Sequence, residues 1–107
     1  MQISLIDSSH STTVVRLAGE LDLGNAEQLS TLLRREARRA RRIVLDVSAL
    51  GFCDCAGLRA ILSGRDRAQA DGGDLVLSGV TPALARLLTV THLDDPLTVE
   101  TSEEPVV

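Results

Sequence analysis

The sequence predicts an α/β domain: one open, mostly parallel mixed sheet of about five strands with three main helices. Three observations carry that reading. Short β-branched apolar runs alternate with helix-spaced stretches of about 10–15 residues, the pattern of parallel crossovers. The order reads β-β-α-β-α-β-α-β, with a hairpin at the start and no internal repeat or linker. The length of 107 residues suits one core rather than two. Residues 1–107 are therefore expected to form a single domain with a radius of gyration of roughly 13 Å, and the tail 101–107 is expected to be disordered.

The elements follow in order. Gln2 to Ile6 (QISLI) is the first strand, and Thr13 to Ala18 (TVVRLA) is the second, across a Ser-rich turn from Asp7 to Thr12. Gly19 ends the second strand. Asn25 stands as the N-cap of the first helix, whose Ala26, Leu29, Leu32, Leu33, Ala37 and Ala40 recur at helical spacing. Six arginines between Arg34 and Arg42 fall in its last turns, where positive charge suits the helix dipole. Ile43 to Val47 (IVLDV) is a central strand, and Ser48 to Cys53 reads as a connection. Asp54 is the N-cap of the second helix, with Leu58, Ile61, Leu62 and Ala68 as its stripe and Asp71-Gly72-Gly73 as its end. Leu75 to Leu77 is the next strand. Thr81-Pro82 sets a capping hydroxyl before a proline at the first helical position, and Leu84, Leu87, Leu88 and Thr91 follow. Asp95-Pro96 breaks the chain ahead of a last strand, Leu97 to Glu100.

Composition narrows the function. Phe52 is the sole aromatic residue, so the core is aliphatic and neither a base-stacking platform nor an aromatic cage is available. Every basic residue is Arg, which excludes a P-loop lysine and Schiff-base chemistry. With a net charge of −4, the Arg34–Arg42 cluster reads as a solvated helix end, and no nucleic-acid partner is expected. Cys53 and Cys55 are too close in sequence to form a structural disulfide. A chain of this size without a disulfide framework is expected to be cytoplasmic. Its start, MQISLIDSSH, lacks the features of a signal peptide. No apolar run approaches about 18 residues, so no membrane insertion is expected.

In a parallel sheet the loops after the strands share one edge, where open α/β folds place their functional crevice. If the second and third strands are neighbours, Gly19-Glu20-Leu21-Asp22 and Phe52 to Leu58 meet at that edge. The candidate binding residues are Asp22, Asn25, Asp54, Cys55, Ala56, Gly57 and Arg59, with Leu58 assigned to the core. Structural roles compete with each: Asp54 as a helix cap, Asp22 as a turn cap, and the small residues as a tight-packing loop. Asp22 and Asp54 have no His, Lys or Tyr near them in sequence, and Cys-x-Cys falls short of a zinc set. His10 and His92 lie elsewhere. No nucleophile–base pair is visible, so neither an enzyme nor a metal or other cofactor is expected. Cys55 lies near a helix N-terminus, which lowers a thiol pKa, and this leaves a redox sensor through Cys53 and Cys55 as an alternative.

Gly19-Glu20-Leu21-Asp22, Ile43-Val44-Leu45-Asp46-Val47 and Phe52-x-Asp54-x-x-Gly57-Leu58 together resemble the STAS domain, in its branch of bacterial anti-sigma factor antagonists. The resemblance runs from about Ile3 to Glu100. It implies a protein-binding regulator that engages an anti-sigma factor, often a kinase-type ATPase, and so releases a sigma factor. It also implies a phosphorylation switch on the Ser or Thr before the glycine of Asp-Ser-Ser-Gly. Here that stretch reads Asp54-Cys55-Ala56-Gly57, so the phosphoacceptor position is Ala56, without a hydroxyl. Ser48 and Ser63 are the nearest alternative acceptors. Similar domains also serve as accessory subunits of lipid-transport ATPases or of signalling assemblies, which is a second alternative.

Overall fold

A computed structural model describes residues 1–8, 11–91 and the backbone of 98–100. Its elements are β1 (Gln2–Ser8), β2 (Thr12–Leu21), α1 (Ala26–Ala37), β3 (Arg42–Cys53), α2 (Cys55–Ala70), β4 (Asp74–Ser78), α3 (Pro82–Val90) and β5 (Thr98–Glu100). They make one five-stranded sheet whose strand order is the chain order, β1-β2-β3-β4-β5. β1 pairs with β2 antiparallel, and every later pair is parallel. The Cα radius of gyration is 12.6 Å, as the length predicts. His10, His92, the Asp95-Pro96 break and the tail 101–107 lie outside the described residues.

Because each parallel crossover is right-handed and leads to the next strand along, α1, α2 and α3 belong on the same face of the sheet. Alternation in the strands matches. Val15, Leu17, Ile43, Leu45, Val47, Leu75 and Leu77 are buried, and they join Leu29, Leu33, Leu58, Ile61 and Leu88 of the helices in one aliphatic core. The opposite face carries Arg16 and Asp46, cross-strand partners joined by an ion pair of 3.2 Å. Partial burial opposes ionisation of Asp46, but the Ser48 amide and hydroxyl and the Arg16 guanidinium outweigh it and hold its pKa below the usual value.

Two boundaries near the site differ from the sequence reading. β2 does not end at Gly19 but runs on to Leu21, bending at register shifts on either side of Ala18–Gly19. Gly19 sits at φ +98°, a conformation costly for any residue with a Cβ, which suits it to that bend. Ser48 to Cys53 is not a connection but the second half of β3. Beyond Asp46 this half no longer pairs with β4, and it stays in the sheet by pairing with Ala18 to Leu21 alone. The resulting two-stranded extension carries the candidate edge at Asp22 and Asp54.

Candidate functional site

The extension ends where Leu21 faces Cys53. Both chains then leave the sheet side by side, and the Asp54 N–H donates to the Leu21 carbonyl at 3.1 Å. Asp54 stands before α2 in extended backbone and uses its two carboxylate oxygens differently. Oδ1 accepts from the Gly57 N–H at 2.8 Å, which caps α2. Oδ2 accepts from the Leu23 N–H at 3.2 Å, on the neighbouring loop. One side chain thus terminates a helix and ties two loops together. The expected juxtaposition of Asp22 and Asp54 at one edge is found.

Asn25 is in the capping position of α1 but makes no side-chain cap, contrary to the expectation. Its Oδ1 accepts from the Asp22 N–H and its Nδ2 donates to the Glu20 carbonyl, both at 2.9 Å. The Asp22 carboxylate accepts from the Gly24 N–H at 3.0 Å. These bonds hold residues 20–25 in a tight turn on top of β2. The amide is aimed back at the strand end, so it is not available to the helix.

Gly57 is buried, and a Cβ there would lie 2.6 Å from Leu21 Cγ and 2.9 Å from the Leu21 carbonyl oxygen. Its part in the site is therefore close approach of α2 to β2. Leu58 is buried as expected. Cys55 and Arg59 are exposed, and Ala56 is half-buried in the first turn of α2. Leu23, which sequence reasoning passed over, is 79% exposed at the tip of the turn. A single leucine after Glu20-Leu21-Asp22 reads as part of an apolar pattern, so only the turn geometry reveals it.

Cys53 and Cys55 are free thiols. Burial, with smaller contributions from Asp54 and Cys55, pushes the Cys53 thiol up to about 11. Its Sγ lies 3.5 Å from the Asp54 carbonyl. Cys53 therefore stays protonated at neutral pH and is a poor nucleophile. Among the described residues, no three His, Cys, Asp or Glu side chains group to hold a metal ion. None of the described helices is long and apolar enough to cross a membrane. Ser48 is exposed within β3 and its hydroxyl donates to Asp46 at 2.7 Å, while Ser63 is exposed on α2. On the other flank of the β3 extension, Leu50, Phe52, Leu84, Leu87 and Val90, with Arg86, line an apolar cleft of about 340 Å³.

The edge thus presents backbone and small side chains on a frame fixed by hydrogen bonds. Residues 4–100 match the family described as Mlab, STAS domain, and the chain belongs to the STAS domain family. Within it, the chain is closely related to the bacterial anti-sigma factor antagonists. It is 33% identical over 84 residues to the anti-sigma F factor antagonist of Paenibacillus polymyxa, spanning 75% of this chain and 70% of that one. The anti-sigma factor antagonist SpoIIAA in its unphosphorylated form has the same fold, with a TM-score of 0.80 at 24% identity over 96% of this chain and 91% of that one. An anti-sigma factor antagonist from Mycobacterium paratuberculosis gives a TM-score of 0.81 at 22% identity, over 96% and 87% of the two chains.

Proposed function

We propose that the chain binds an anti-sigma factor of the kinase-type ATPase class through the edge formed by Asp22, Asn25 and residues 54–59, and so releases a sigma factor. The relationship to anti-sigma factor antagonists supports the class of partner. The observation that carries the surface is the double use of Asp54, which makes the turn at residues 22–24 and the start of α2 one rigid unit. Leu23 at the tip is the apolar contact, and Asp22, Cys55 and Arg59 flank it.

The same reading removes the customary off-switch. Ala56 stands at the phosphoacceptor position and has no hydroxyl to receive about −1.5 to −2 charges of phosphate. The chain then remains in its binding form whatever the kinase activity of its partner.

The test is a titration of the full chain into the anti-sigma factor of the same cell, with and without ATP. Binding that ATP does not abolish, with no phosphate on the chain, is the expected result, and Leu23→Asp weakens it at least roughly tenfold, as expected of an apolar anchor. Capture of a lipid-transport ATPase instead, with no anti-sigma factor bound, overturns the sigma-factor reading. Stoichiometric phosphate on Ser48 or Ser63 overturns the absence of a switch.

A further inference from the structure

A groove runs away from the docking edge between α1 and α2. The two helices follow successive parallel crossovers and lie side by side. Gly64 lets them close up, since a Cβ there would stand 2.5 Å from Leu33 Cδ1. Near the edge the groove is walled by Leu23, Ala26, Ala56 and Ala60, with Glu27 and Arg59 at its sides, and it encloses about 450 Å³. It continues into a smaller cleft of about 150 Å³ between Ser30 and Arg34 of α1 and Ser63 and Arg67 of α2. Ser30, Arg34 and Ser63 line both parts, so the groove is continuous.

Its chemistry is uneven. Both helices present the same pair, a serine and then an arginine four residues on, on one face and about 6 Å apart along the axis. Arg34, Arg59 and Arg67 make no ion pair among the described residues, whereas Arg16, Arg39 and Arg65 pair with Asp46, Glu36 and Asp66. Among the described residues, Glu27 is the one acidic side chain lining the groove. The edge above carries Glu20, Asp22 and Asp54. The surface therefore changes sign along its length, from acidic at the strand ends to basic between the helices.

Resting on the binding function above, we propose that the α1–α2 groove is the second half of the docking surface and takes an acidic segment of the anti-sigma factor, with Arg34 and Arg67 as its contacts. Two observations favour a protein segment as occupant. The groove is continuous with the docking edge at Leu23, Ala56 and Arg59. Its floor of Ala, Ser and Gly leaves room for side chains entering from outside. The change of sign along the surface fixes the direction in which the segment lies, because the reverse orientation sets like charges against each other.

The experiment measures association and dissociation rates of the full chain with the anti-sigma factor for Arg34→Glu/Arg67→Glu. Arg35→Glu/Arg41→Glu, which makes the same charge change on exposed residues outside the groove, is the control. The groove variant is expected to lose roughly tenfold in affinity, mostly in association rate, and to flatten the salt dependence. The control is expected to change affinity less than about threefold, and Arg34→Lys/Arg67→Lys to retain most of it. Equal losses in groove variant and control overturn the groove in favour of a general field effect. Full binding by the groove variant overturns it while leaving the docking edge intact. Failure of the wild-type chain to bind any anti-sigma factor overturns the binding function and the groove with it.

Discussion

At the start of α2 the residue in the capping position, Asp54, binds the helix with one oxygen and the neighbouring loop with the other. At the start of α1 the side chain in the same position, that of Asn25, binds only the strand end and loop behind it. The donors each side chain can reach set the difference. Asp54 leaves β3 in extended backbone with its carboxylate over the first turn of α2, the usual capping geometry. Asn25 closes a turn in which its own N–H donates to the Asp22 carbonyl at 3.1 Å, and its side chain is directed toward residues 20–22. The turn at residues 22–25 is thus held from below by Asn25 and from the side by Asp54. The helix that gives up its cap is the one beside the more tightly fixed loop.

The largest expected effect comes from removing the close approach that brings the two regions together. Gly57→Val drives a branched side chain into Leu21 and its carbonyl, and should cost stability at the upper end of about 1–3 kcal/mol. Denaturant unfolding measures it, and a loss below about 0.5 kcal/mol would mean that Leu21 yields and the approach is not tight. Next is Asp54. Replacement by Ala removes both bonds and should cost roughly 1–2 kcal/mol. Asp54→Asn keeps a capping oxygen but offers an amide to one of the two donors, so it should cost less while the Leu23 amide exchanges faster with solvent. Equal stability losses for the two variants would show that the cap alone matters. The smallest effect is expected for Asn25→Ala, roughly 0.5–1.5 kcal/mol, with helix content by circular dichroism unchanged and faster exchange confined to residues 22–25. A drop in helix content would mean that Asn25 supports α1 after all.

Much of this was legible in the sequence for identifiable reasons. The apolar runs around Val15, Leu45 and Leu77 mark the three central strands because both neighbours and a helix layer bury them. Thr81-Pro82 and Asp54 mark helix starts because their side-chain chemistry is local. The meeting of Asp22 and Asp54 followed from parallel topology on the condition that β2 and β3 are neighbours, which they are. The extension at 18–21 and 49–53 was not legible, since Gly19, Glu20 and Gly51 interrupt the alternation and leave only Leu21 and Leu50 as buried positions, too few to mark a strand. Nor was the refusal of Asn25 to cap, because sequence gives the residue type that can cap but not the rival donors and acceptors a turn brings to it.

The strand order has a consequence for how the molecule is built. Each strand after the first lies beside the one made just before it, so the order of the sheet is the order of synthesis. β1, β2, α1, β3 and α2 are all in hand by Ala70. Every residue of the proposed docking edge and both arginines of the proposed groove have then been synthesised, before β4 is begun. The later elements supply Leu75, Leu77, Leu84 and Leu88 to the core, so they support from behind a proposed binding surface whose own residues all lie in the first two-thirds of the chain.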